Sequence, residues 1–328
     1  GPAADTLLAE LTAAEAKVAS NQGDHAGAAR LYARATAIAG HDPALASRLQ
    51  VQAAGALVFS LDKTRYPEAE AMIASARQTL AGLSDERGLL EATRAEATLA
   101  WYRGQPAASA EAWRQSLELS ERLGDLPLSA GLLNNLGMTA LARGEFSQAE
   151  AYLERCLDLA ERAGQASVLC RAYTNMGRVR RGLNDPAGAV RNLQAAAKTA
   201  REAGDPTIES AALSELGATF GAQRRLKAAL KALRRSKRLR LSLGDSGRVA
   251  ESELELGEVW RQTGDVRAAL GCTLRALALK AALGDMEGAA LAVESLEFCA
   301  GRPGGPAAVL AAARHKLRLQ GPPPVQAA

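Results

Sequence analysis

Three arginines and three glutamates have the types and spacing that first suggest chemistry. Arg171, Thr174, Arg178 and Arg181 fall at i, i+3, i+7 and i+10, which on a helix brings three guanidinium groups to one face. Glu251, Glu255 and Glu258 make an acidic stripe by similar spacing. Guanidinium forks grip carboxylates bidentately, and Asn135 and Asn175 offer the paired donor and acceptor that hold a peptide amide. Such a set suits an acidic tail or a polar peptide. The same residues also read as solvated helix faces with local ion pairs worth about 0 to 1 kcal/mol each.

A second group is denser. Arg224, Arg225, Lys227, Lys231, Arg234, Arg235, Lys237, Arg238 and Arg240 are nine cations with no acid between Leu216 and Gly244. Lys227, Lys231, Arg234 and Arg238 form a stripe at i, i+4, i+7 and i+11. Three readings stay open for this segment. The long stems can lie along an apolar seam and reach Glu251, Glu253 and Glu255 on the following helix. The stripe can meet an acidic protein surface. It can contact nucleic acid, against which stands the lack of an interleaved aromatic for base stacking.

Catalytic signals are sparse. His25, His41 and His315 lie toward the chain ends, and no nucleophile elbow, P-loop or HExxH motif surrounds a reactive residue. Cys156, Cys170, Cys272 and Cys299 show no metal-ligand or disulfide spacing and read as small core residues. The expectation is a protein that is not an enzyme, with no cofactor and no metal, in a reducing cytoplasmic compartment.

The 328 residues are 48% hydrophobic and 23% charged, which excludes disorder, and charges or Gly interrupt every apolar run before it reaches membrane-spanning length. Three Trp, five Tyr and four Phe are too few to build a core from rings, so Ala, Leu and Val at close spacing must supply it. That favours packed helices. A net charge of +4 implies no partner by itself. Gly1-Pro2 reads as the remnant of a cleaved tag, and whether the rest is a full-length protein or an excised region stays open.

The elements follow from a period of forty. Gly124, Gly164, Gly204, Gly244 and Gly284 recur at that interval, with Asp125, Asp205, Asp245 and Asp285 after four of them. A second series, Gly137, Gly177, Gly217 and Gly257, follows Leu136, Met176, Leu216 and Leu256; a third is Ala149, Ala189, Ala229 and Ala269. Glycine at a helix end takes the left-handed conformation at no steric cost, and the following Asp caps the next helix. Position 156 recurs as Ala196, Ser236 and Ala276, all small, which predicts a close helix crossing opposite Gly137 and its equivalents. Each unit is helix, turn, helix, turn.

This order, best seen from Leu132-Leu133-Asn134-Asn135-Leu136-Gly137 through Gly144-Glu145-Phe146 to Ala149, resembles the tetratricopeptide repeat in its forty-residue form. The resemblance implies an all-α fold, an α-α superhelix of about eight helical hairpins, with regular repeats over 124–300. Divergent hairpins are expected over 3–123, and a degenerate capping helix with a Pro-rich tail over 301–328. It further implies a concave groove lined by the first helix of each hairpin. Carried onto this chain, the lining is Asn134, Asn135, Met138 and Leu141, then Arg171, Thr174, Asn175, Arg178 and Arg181, then Glu215, then Glu251, Glu255 and Glu258.

The closing segment, a Gly301-Arg302-Pro303-Gly304-Gly305-Pro306 turn, the Ala-rich helix after it and Gly321-Pro322-Pro323-Pro324, resembles the end of the repeat regions in bacterial signal-transduction ATPases of MalT-like or antibiotic-regulator type. That implies a protein- or peptide-binding scaffold, the sensor or partner-docking region of a transcriptional regulator. Its partners would be a protein, a peptide, other domains of its own full-length chain or a second copy. Two alternatives remain: a peptide receptor of the quorum-sensing type, and a nucleic-acid contact through residues 224–240.

Overall fold

The computed structural model describes residues 1–285, and the regular elements among them are helices. They fall into two compact units divided between Gln165 and Ala166. The first holds α1 (Pro2–Asn21), α2 (His25–Ile38), α3 (Pro43–Phe59), α4 (Tyr66–Gly82), α5 (Glu86–Tyr102), α6 (Pro106–Arg122), α7 (Leu126–Ala142) and α8 (Phe146–Arg162). The second holds α9 (Ala166–Gly182), α10 (Pro186–Glu202), α11 (Pro206–Ala222), α12 (Leu226–Ser242), α13 (Ser246–Thr263) and α14 (Val266–Ala282). Within each unit, consecutive helices pair as hairpins and each hairpin packs on the next. The chain is all-α. Seven hairpins lie in the described residues; the eighth expected from the sequence, together with Cys299 and His315, lies outside them.

The repeat is finer than forty. From α4 to α12 each helix has 17 residues, and φ turns positive at every twentieth residue from Ser84 to Gly284. Eight of those eleven turn positions are glycine; Ser84, Asn184 and Arg224 hold the others. The three substituted turns hid the half-period, because a search keyed on Gly sees only every second turn without a gap. After the turn, Asp125, Asp205 and Asp245 accept a hydrogen bond from the backbone N–H three residues on, at 2.9 to 3.0 Å. This satisfies one of the N–H groups that a helix start leaves without a partner.

The core is small-residue packing, as the scarcity of rings requires. Ala149, Leu153, Cys156 and Ala160 on α8 are all fully buried, and so are Ala189, Leu193, Ala196 and Ala200 on α10. One expectation is corrected. A Cβ on Gly137, Gly177 or Gly217 would come within 2.5 to 2.7 Å of Leu153, Leu193 or Leu233, so the glycine makes room for a leucine of the second helix. It does not face the small residue at position 156. That position is small because the first helix's backbone crosses there: Cys156 Sγ donates to the Ala130 carbonyl at 3.1 Å, and Ser236 Oγ to the Ser210 carbonyl at 2.7 Å.

Candidate functional site

In the second unit, α11 touches both α9 and α13, which sets these three first helices side by side. Their facing side chains form a charge relay of fixed order. Arg178 and Arg181 converge on one carboxylate, Glu215 of α11, at 2.6 and 3.2 Å. Arg171, nearer the start of α9, is exposed and pairs with no carboxylate among the described residues. Cations therefore outnumber acids at this step. On the other side of α11, the Ser214 hydroxyl donates to Glu255 of α13.

Glu255 and Glu251 both stand 3.9 Å from the Arg240 guanidinium, whose side chain is 6% exposed. Arg240 also donates to the Arg248 carbonyl at 2.9 Å and to Ser252 Oγ at 2.8 Å. Burial pushes the Glu255 carboxyl above its ordinary range, and neighbouring Glu251 and Glu215 add to this, against the downward pull of Ser214 and Arg240. Glu258 is the opposite case. The Arg261 guanidinium, hydrogen-bonded through Nε at 2.6 Å, holds its carboxyl below that range.

The asparagines are placed differently from the arginines. Asn134 and Asn175 are buried, 3% and 4% exposed, so their amides sit in the repeat interior, whereas Asn135 is half-buried. Asn134 and Asn135 belong to α7 in the first unit.

The basic helix α12 divides its cations by face. Arg235 pairs with buried Glu209 of α11 at 2.6 Å, Lys237 with buried Glu253 of α13 at 2.5 Å, and Arg240 packs against α13 as above. Glu253, 2% exposed, is held from the other side by Arg275 of α14 at 2.8 and 3.1 Å. Burial would raise the Glu253 carboxyl, but the hydrogen bonds from Arg275 and Lys237 outweigh it and hold it below the ordinary range. Lys237 and Arg240 stand where the preceding repeat has Ala197 and Ala200, so these two departures compensate acids of the next hairpin.

The remaining stripe is a different surface. Lys227, Lys231, Arg234 and Arg238 are all exposed, and none pairs with a carboxylate among the described residues. Arg234 lies 5.3 Å over the Trp260 ring of α13, an aromatic contact that the sequence of the basic run alone does not contain. Glu209 and Trp260 are among the partners of the basic run that sequence reasoning missed. The usable signal was register: Glu209 lies 26 residues before Arg235, as Ala130 does before Cys156.

Among the described residues, no group of three or more His, Cys, Asp or Glu is placed to hold a metal ion. No helix among them is long and apolar enough to cross a membrane. Cys156, Cys170 and Cys272 are buried and unbridged, and burial, with Glu253 nearby, pushes the Cys272 thiol up to about 11.

Residues 88–162 and 128–202 match the family model described as tetratricopeptide repeat. No curated protein matches the chain. Among solved structures, the chain is similar to a signal transduction ATPase with numerous domains (STAND) carrying a tetratricopeptide repeat sensor, from Pyrococcus horikoshii. The TM-score is 0.68 at 17% identity, over 86% of this chain and 44% of that one, so the chain spans less than half of that protein. It is also similar to BtubC from P. vanneervenii, with TM-score 0.59 at 19% identity over 68% of this chain and 92% of that one. A Rap protein complexed with Competence and Sporulation Factor gives TM-score 0.54 at 13% identity, over 96% and 100%. At these identities the likeness is one of fold.

Proposed function

We propose that the chain is a non-catalytic docking scaffold that receives an acidic protein tail or peptide on the α9–α11–α13 row, as the sensor or partner-docking region of a bacterial transcriptional regulator. The observation that carries the reading is the cation excess at α9: Arg178 and Arg181 share Glu215, and exposed Arg171 lies on the same helix without a carboxylate. An incoming carboxylate can take Arg171 and one of the two shared guanidiniums without leaving Glu215 uncompensated. Charge-assisted bonds of this kind are stronger than neutral ones and directional. The fold shared with a repeat sensor supports the regulator part by analogy of architecture. A free short peptide as the ligand is the second reading, favoured by the match to a Rap protein over the whole of that chain.

A peptide array of acidic C-terminal sequences, followed by calorimetry on the strongest binder, tests the row. Arg171→Ala and Arg181→Ala are each expected to weaken binding about tenfold, in line with loss of one charged hydrogen bond. Affinity unchanged in both variants would remove this face as the site.

A further inference from the structure

Two second helices, α8 of the first unit and α12 of the second, differ in charge at matching positions. In α12 the exposed stripe Lys227, Lys231, Arg234 and Arg238 has no acid on its own helix. In α8, two repeats earlier, Glu150, Glu154, Asp158 and Glu161 occupy i, i+4, i+8 and i+11, with the last three exposed. Glu154 and Asp158 stand eighty residues before Arg234 and Arg238, the same repeat positions with the sign reversed. Both stripes run about 16 Å along the helix axis, and their spacings coincide to within a residue in either direction.

Like charges at i, i+4 destabilise the helix that carries them. On α8 part of that repulsion is relieved, since Arg162 reaches Asp158 at 3.3 Å; Arg155 turns away to Glu121 of α6 at 2.9 Å. On α12 the stripe has no such relief from an acid among the described residues.

Each face also has an apolar element. Next to the acidic stripe, a cleft of about 470 Å³ opens between α6, α7 and α8, lined by Glu121, Glu154, Asp158, Leu126 and Leu159 and by Arg155, which is taken up by Glu121, so that Glu154 and Asp158 carry its net negative charge. The basic stripe continues one turn past Arg238 into Leu241, which is 54% exposed. A cleft lined by acids and leucines fits a helix that presents cations and then a leucine. Nucleic acid fits less well, because Trp260, the ring beside this stripe, is half-buried and already covered by the Arg234 guanidinium.

We propose that the Lys227/Lys231/Arg234/Arg238 face of α12 docks on the Glu154/Asp158/Glu161 face of α8 in a second copy of this chain. Exposed ion pairs are individually weak and screened by salt, so the association is of low affinity and collapses with ionic strength. This inference does not depend on the α9–α11–α13 row.

Sedimentation equilibrium over a concentration series tests it. The unaltered chain is expected to self-associate at about 50 mM NaCl and to do so at least about tenfold more weakly at about 500 mM. Lys231→Glu with Arg238→Glu is expected to be monomeric, because the stripe then holds two cations and two acids and has no net charge to set against α8. Glu154→Lys with Asp158→Lys is expected to be monomeric because the α8 stripe then has no net charge to attract α12. An equimolar mixture of the two variants, each with helicity unchanged by circular dichroism, is expected to associate, since each supplies the face the other needs. A monomeric unaltered chain at low salt would overturn the proposal, whether or not it then retains an oligonucleotide. Failure of the folded variants to associate on mixing would overturn it equally.

Discussion

Glu253 and Glu255 stand two residues apart on α13 and carry opposite electrostatic signs for stability. Glu253 is 2% exposed between Lys237 and Arg275, and its carboxyl lies below the ordinary range because those hydrogen bonds outweigh burial. A depressed carboxyl stabilises the fold above its ordinary pKa, and that contribution is lost as pH falls through the depressed value. Glu255 lies above the ordinary range because burial dominates, so its ionised form is a liability at neutral pH that is removed as pH falls through the raised value. Glu253→Gln is therefore expected to cost about 2 kcal/mol at pH 7, with the deficit closing in strong acid. Glu255→Gln keeps an acceptor for Ser214 and is expected to raise stability at pH 7, with no gain at pH 3. Urea unfolding of the three chains at both pH values checks the pair; two variants that change in the same direction at pH 7 would refute the assignment.

At the scale of the helix and its turns, glycine does two separate jobs, and substitution separates them. Gly204 has φ +69° with open space where a Cβ would go, so Gly204→Ala loses only backbone freedom, an expected cost of about 1 kcal/mol. Gly217 has ordinary helical dihedrals, and a Cβ there would sit 2.5 Å from Leu233, so Gly217→Ala must displace a fully packed leucine at about 1 to 3 kcal/mol. Gly257 is the control. Thr273 replaces the leucine and the nearest atom is 3.3 Å away, so Gly257→Ala is expected to cost less than Gly217→Ala; thermal melts of the three variants give the order.

These jobs were unequally visible in the sequence. Turn glycines and their Asp caps were legible because they act through local backbone geometry, which spacing encodes directly. The helix-to-helix partner of Gly137 was misplaced by one turn, because residues 153 and 156 share a face and only the crossing angle decides which of them meets the glycine. In the candidate site, the spacing of Arg178 and Arg181 put both on one face of α9, and Glu215 on the neighbouring first helix. Their convergence on one carboxylate depends on side-chain reach across 34 to 37 residues, which no single-helix pattern carries. The burial of Asn175 was hidden for the same reason, since an Asn reads alike on a wet face and in a packed one.

At the scale of the whole chain, hairpins that pack on one another within each unit draw their stability from their own packing and that of their neighbours. Removing residues 205–244, α11 and α12 with their turns, would join Gly204 to Asp245 and keep the Gly-Asp turn and the alternation of first and second helices. Helicity per residue is then expected to hold. Removing only residues 225–244 would bring two first helices into sequence, and loss of cooperative unfolding is expected. The forty-residue deletion still has a specific defect: α10 would face α13 with Ala197 and Ala200 where α12 has Lys237 and Arg240. Glu253 would keep Arg275 alone, and Glu255 would lose both Ser214 and Arg240. The melting temperature should therefore fall by several degrees, and Ala197→Lys with Ala200→Arg in the shortened chain should restore most of it. The same two substitutions in the unshortened chain put cations opposite α11, where Leu213 stands in place of Glu253 and Glu215, in place of Glu255, is already held by Arg178 and Arg181, and should bring no gain. Differential scanning calorimetry on the four chains distinguishes this from a general penalty of shortening, which the substitutions could not reverse.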